Sequence, residues 1–272
     1  MRYQPSLSLV TGASSGIGAA FARALAARGS DLVLVARRED RLLALASELE
    51  AAHGVLCTVI ALDLSLPHPG RTLLAALGDR VPDLVVNNAG FGIQGEVAAT
   101  DPDRLAQEVA VDVAAVVDLC RAFVERMIAR GSGVVLNIAS TAAYQPVPGM
   151  AVYAASKAFV KLFTEALWHE TRPHGVTVFA VSPGAVASEF FDEGRRISAP
   201  TSYWEPSRIA EAGLRALDRG LSRGGVGRGP HGGIRVPPEV MPGFANRAAA
   251  FSTRFVPRRV LLHFSSRLAA LR

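Results

Sequence analysis

From residue 7 onward, short and almost wholly apolar runs alternate with longer stretches in which apolar residues recur at helical spacing, and few architectures accept that order. Residues 7–11, 32–36, 55–62, 84–87, 134–138 and 176–181 read as strands. Their lack of polar alternation suits strands covered on both faces. Residues 16–28, 38–53, 71–77, 102–130 and 153–172 read as helices with charges along one side. Such alternation predicts a parallel sheet with right-handed crossovers. The expected fold is α/β, a single doubly wound Rossmann domain with a mostly parallel sheet and helices on both faces. Its ligand crevice should lie at the carboxyl ends of the strands.

The pattern weakens after Pro183. Residues 185–203 are irregular and aromatic-rich, 206–219 look helical, and 220–233 form a glycine-rich loop. Residues 234–241 offer a last strand, weakened by Pro237 and Pro238. Residues 244–272 hold two helical stretches broken at Pro257. The expected organisation is a catalytic domain over 1–241 and a helical extension over 242–272, packed on the domain or on a partner subunit.

Charge separates the same two parts. The chain has 29 Lys and Arg against 24 Asp and Glu, but no acidic residue follows Glu239 and six arginines do. Without those six the body is nearly neutral and lacks the mixed basic and aromatic surface of a nucleic-acid platform, so no nucleic-acid partner is expected. The start of the chain lacks a secretory signal pattern, and no apolar run has the length of a membrane span. Cys57 and Cys120 sit in apolar contexts and suggest neither a disulfide framework nor a metal site. A reducing cytoplasm is the expected setting.

The turn Thr11-Gly12-Ala13-Ser14-Ser15-Gly16-Ile17-Gly18 falls between the first strand and the first helix. A pyrophosphate needs close backbone approach, which glycine permits, and the helix start adds unpaired N–H groups. An ordinary βα turn is the competing reading. At the end of the second strand an NAD enzyme places an acid on the ribose hydroxyls. Here Ala36 is followed by Arg37 and Arg38, whose guanidinium groups suit a 2′-phosphate. NADP(H) is favoured over NAD(H), with Arg37 the preferred contact. Asp63 could accept from the adenine amino group or cap a helix.

Tyr153 and Lys157 are four residues apart and share a helix face. A nearby ammonium should stabilise the phenolate and make Tyr153 a usable acid/base. The chain has only two lysines, Lys157 and Lys161, so a lysine at this spacing is an improbable accident. Ser140 can donate to the same substrate oxygen.

On these residues the chain resembles the classical short-chain dehydrogenase/reductase family along nearly its full length. It carries T-G-x-x-x-G-I-G at 11–18, N-N-A-G at 87–90 and Y-x-x-x-K at 153–157, with the serine at 140. Pro183-Gly184-Ala185-Val186-Ala187-Ser188 is similar to P-G-x-V-x-T. The resemblance implies hydride transfer between NADP(H) and a carbonyl or alcohol. It also implies cofactor contacts from Gly12, Ser14, Ser15, Gly16, Ile17, Gly18, Asp63, Leu64, Asn88, Ala89, Gly90, Tyr153, Lys157, Pro183, Gly184, Val186 and Ser188. Lys157 is implied to hold the nicotinamide ribose. One departure is Asp112, where the family usually has the Asn that completes a catalytic tetrad with Ser140, Tyr153 and Lys157. Asp112 can still offer its carbonyl to a relay water, and its charge should alter the pH profile.

Phe91, Tyr144, Met150, Phe190 and Tyr203, with Ser140, are the candidate substrate contacts, and their apolar character favours a hydrophobic carbonyl or alcohol. The extension resembles those of a bacterial subgroup similar to ketoacyl and steroid ketoreductases. Packing is the favoured role of its Arg-rich amphipathic helix, and peripheral membrane contact the less favoured one. The helices at 112–130 and 153–172 resemble those the family uses to assemble, so a homodimer or homotetramer is expected. Two other readings are a dinucleotide-binding redox sensor without turnover and a Rossmann-type transferase. The first typically lacks the Tyr or Lys; the second leaves both without a task.

Overall fold

The computed structural model describes residues 1–186, 203–222 and 234–262. Among them a seven-stranded sheet has the order β3-β2-β1-β4-β5-β6-β7. The strands are β1 (Leu7–Thr11), β2 (Asp31–Ala36), β3 (Cys57–Ala61), β4 (Leu84–Asn87), β5 (Gly133–Ile138), β6 (Val176–Val181) and β7 (Glu239–Val240). Every pairing is parallel, so all strands end at one edge. The winding reverses between β1 and β4, which are neighbours, and the switch point lies between their carboxyl ends.

Because side chains alternate along a strand, each strand feeds both faces. Val10, Leu34, Val86, Leu136 and Phe179 join one apolar cluster, with Phe21, Leu25 and Leu214 from helices. Leu9, Val33, Val85, Val135 and Val178 join the other, with Leu73, Phe123 and Val160. The first face is covered by α1 (Gly16–Ala26), α2 (Glu39–His53) and α7 (Pro206–Ser222). The second is covered by α3 (Pro69–Leu77), α5 (Ala115–Arg130) and α6 (Ala151–Thr171). Burying a Phe such as Phe21 or Phe123 contributes about 2–3 kcal/mol.

Two elements depart from the sequence expectation. The single helix expected over 102–130 divides into α4 (Pro102–Val109), a π-helical turn at Ala110–Ala114, and α5. Neither proline nor glycine marks the division; Asp112, buried at its centre, does. The last strand is only two residues long and begins directly after Pro238, whose carbonyl accepts from Ala180 N at 2.9 Å. Proline can supply that acceptor but no donor, and β7 is an edge strand, where the missing donor costs little. In the extension, α8 (Phe244–Ser252) is followed by a second helical stretch from 258.

Candidate active site

The loops after β1 and β4 meet over the switch point. Thr11 Oγ1 accepts from the amides of Asn88 and Ala89, both at 3.0 Å, and Asn88 Nδ2 donates to Thr11 O at 2.9 Å. Gly12 and Gly16 have φ of 64° and 53°, a region costly for side-chain-bearing residues. Gly18 is required for space, since a Cβ there would lie 2.2 Å from Gly12 O. Ser15, extended and making no side-chain cap, delivers the chain into α1 at Gly16, with Ile17 in the first turn. Glycine at these points leaves bare backbone at a helix start, a surface that can receive an anion.

At the end of β2, the Arg38 guanidinium lies over that loop: Nη2 reaches Ser15 Oγ at 2.9 Å and Ser14 Oγ at 3.1 Å. Arg37, the contact preferred from sequence, is exposed. Ala36 is buried at the strand end, so no carboxylate stands there. Asp63 closes a local turn by accepting from Ser65 N and Oγ, at 2.9 and 2.8 Å, and does not cap α3, which begins at Pro69. Leu64 is buried beside it.

Beyond β5, Ser140 opens a 3-10 turn and its Oγ accepts from Ala142 N at 3.1 Å. Ser140 also hydrogen-bonds Tyr153, which lies buried in the first turn of α6. One turn on, Lys157 Nζ lies 5.7 Å from the Tyr153 ring centroid. It is also 2.9 Å from Asp112 Oδ2 and 3.5 Å from Ile138 O. Asp112 Oδ1 accepts from Phe91 N at 3.0 Å. Gly90 leaves room for this contact, since a Cβ there would come within 2.8 Å of the carboxylate.

Burial depresses the basicity of Lys157, but the charges of Asp112 and Tyr153 outweigh it, and its pKa rises above the ordinary lysine value. For Tyr153 the balance is reversed. Burial raises its pKa, and the opposing pull of Lys157 and the Ser140 hydrogen bond does not cancel it. The expected lysine effect is present, yet the phenol is the stable form near neutrality. Burial also raises the pKa of Asp112 against the pull of Lys157.

The family model for short chain dehydrogenases matches residues 7–197. The chain belongs to that family. Among its family relatives, the very-long-chain 3-oxoacyl-CoA reductase of Mus musculus is 32% identical over 198 residues, covering 71% of this chain and 62% of that protein. The chain spans between 16% and 62% of the length of the first curated relatives it matches. A short-chain dehydrogenase from Sphingobium yanoikuyae in complex with NADPH superposes with a TM-score of 0.78 at 30% identity. The overlap covers 92% of this chain and 93% of that one. The bulky-bulky ketone specific alcohol dehydrogenase from Comamonas testosteroni gives 0.75 at 28% identity, covering 93% of both chains.

The other expected residues of this family member are not all gathered together. Pro183 O accepts from Thr141 N at 2.9 Å, tying the loop after β6 to Ser140. Gly184 lies under α8, for a Cβ there would meet Asn246 Nδ2 at 2.8 Å. Val186 bridges to Trp204, next to Tyr203. Ser188 and Phe190 lie outside the described residues. Phe91 carries the Arg104 guanidinium 5.1 Å above its ring, and Met150 is buried before α6. Tyr144 donates its hydroxyl to Glu239, which also accepts from Ser182. That carboxylate is a competing partner for the hydroxyl that sequence reading assigned to substrate. Among the described residues no helix is long and apolar enough to cross a membrane.

Sequence reasoning missed Glu108. Fully buried in α4, one turn before Asp112, its Oε1 accepts weakly from Ile93 N at 3.4 Å. Its Oε2 has no hydrogen-bond partner among the described residues. The available signal was its spacing of four from Asp112 on a helix that must face the lysine.

Proposed function

We propose that the chain is an NADP(H)-dependent oxidoreductase that passes hydride between the nicotinamide and a carbonyl or secondary alcohol. A hydrophobic ketone, 3-ketoacyl or steroid-like compound is the substrate class. The observation that carries this reading is the buried Ser140–Tyr153–Lys157–Asp112 constellation beside a glycine cradle. A bound dinucleotide would supply the hydride. Gly12, Gly16, Gly18 and the loop at 88–90 would receive its pyrophosphate side, and Lys157 its nicotinamide ribose. Arg38, with Arg37 beside it, would take the 2′-phosphate, since no acid at 36 opposes one. The NADPH and ketone named for two structural neighbours support both choices.

In reduction, Ser140 holds the substrate oxygen and Tyr153 donates its proton to it as the hydride arrives at carbon. Lys157 then stabilises the phenolate left behind, and Asp112 keeps Lys157 charged. The phenol's stability favours this direction near neutrality, and oxidation gains as pH rises. The described part of the extension, 242–262, is assigned to packing against the catalytic domain, supported by Asn246 on Gly184 and by Gly243 against Trp204.

The test is a panel of carbonyls and alcohols with NADPH and NADH, run on wild type, Tyr153→Phe and Arg38→Ala. Wild type should turn over with NADPH preferred. Tyr153→Phe should lose about 100-fold or more in kcat. Arg38→Ala should raise the KM for NADPH by roughly 10–100-fold, the loss of a charge-assisted contact, and leave that for NADH nearly unchanged. Full activity in Tyr153→Phe would refute the assignment.

A further inference from the structure

The buried space behind the active-site lysine holds more acid than its base can neutralise. Among the described residues Lys157 is the buried cation, 2.9 Å from Asp112, and Glu108 adds a second buried carboxyl one turn away. Two carboxylates and one ammonium would leave a net negative charge out of water, which is costly unless one carboxyl keeps its proton. The contacts decide which one. Asp112 has an ammonium on Oδ2 and a peptide N–H at 3.0 Å on Oδ1. Glu108 has a single long contact, 3.4 Å from Ile93 N, and among the described residues its Oε2 has neither a hydrogen bond nor an ion pair. The proton therefore belongs on Glu108.

Resting on the reductase reading above, we propose that Glu108 is a positioning residue whose proton sets, through Asp112 and Lys157, how readily Tyr153 gives up its own. The groups that bear electrostatically on Glu108 come from each neighbouring element. They are Asp112 in the π turn, Lys157 in α6, Arg104 in α4 and the Ile93 amide in the loop after β4. Burial raises the Glu108 pKa to about 7, with Asp112 adding to the rise and the Ile93 amide, Lys157 and Arg104 opposing it. The charge of Glu108 also acts on Tyr153, raising its pKa. With Glu108 protonated, Lys157 faces the charge of Asp112 and stabilises the developing phenolate. Ionised Glu108 adds a second negative charge against that phenolate, and Tyr153 becomes a weaker donor. The reductive rate should therefore fall as pH climbs through the ionisation of Glu108, before Tyr153 itself titrates. No proton has to leave the buried group during turnover; Glu108 tunes the donor and does not touch substrate.

Two measurements test this, one independent of turnover. Infrared difference spectra of the protein alone, taken between pH 5 and pH 9, should show a protonated carboxyl band lost with an apparent pKa near 7. Glu108→Gln should abolish the band, and Asp112→Asn should move its loss to lower pH as Glu108 takes over part of the lysine pairing. If wild type shows no such band the proposal is overturned, whatever the enzyme assay gives. In the pH profile of the reductive kcat, Glu108→Gln should lose the decline near neutrality and hold its rate to higher pH. The Gln keeps the acceptor for Ile93 N, so a merely structural role would leave the profile's shape unchanged, and an unchanged shape would overturn the proposal. Should the variant fail to fold, the wild-type infrared titration still decides whether Glu108 keeps its proton. Failure of the reductase reading itself would appear separately, as no turnover in wild type with any carbonyl tested.

Discussion

At the residue scale, Asp112 shows how one atom changes the work of a position. Asn there could accept from Phe91 N as Asp112 does, but it could not pair its charge with Lys157. Asp112→Asn leaves burial of Lys157 less opposed, so the lysine pKa falls and the ammonium is lost at lower pH. The expected outcome is a basic limb of the pH–rate profile moved to lower pH, measured on steady-state kcat. Breaking a buried ion pair ordinarily costs about 3–5 kcal/mol. Glu108 can give up its proton and take over part of the pairing, so denaturant unfolding should show a smaller loss. A loss of full size would mean the two carboxyls do not share the lysine.

At the element scale, the loop between β1 and α1 is fixed by space more than by propensity. Gly18→Ala puts a Cβ 2.2 Å from Gly12 O, and the opposing atom is backbone, which cannot swing aside. Dinucleotide affinity, read by calorimetric titration with NADPH, should drop at least about 10-fold, while the far-UV spectrum keeps its α/β shape. Gly12 and Gly16 were legible in sequence because their chemistry is local to the turn. The doubly wound parallel sheet was legible too, since runs buried on both faces suit strands with helices on either side. The π turn was not, because Ala110, Val111, Val113 and Ala114 read as ordinary helix and only the lysine across the crevice rewards the wider winding. The placing of Arg38 over Ser14 and Ser15 was likewise hidden, for it depends on which of two neighbours the strand end turns toward the loop. Tyr144 was assigned to substrate by position alone, and the carboxylate that takes its hydroxyl lies 95 residues away.

At the scale of the whole molecule, apolar surface remains uncovered on α6. Leu162 is 64% exposed and Phe159 40%, on the back of the helix that carries Tyr153 and Lys157. This supports the proposed homo-oligomer, in which α6 would face a second copy. Leu162→Glu with Phe159→Ser should shift the species seen by light scattering to the monomer, and activity should drop as α6 loses its outer support. An unchanged mass would place the contact elsewhere.

The turn at Ala110–Ala114 has a further consequence. One surplus residue in a helix offsets everything before it by roughly 100° of rotation. Excising a single alanine there would restore regular winding, yet swing Arg104 and Glu108 off the side that Asp112 occupies. Keeping Glu108 beside Asp112 thus depends on the length of this turn as much as on the two side chains.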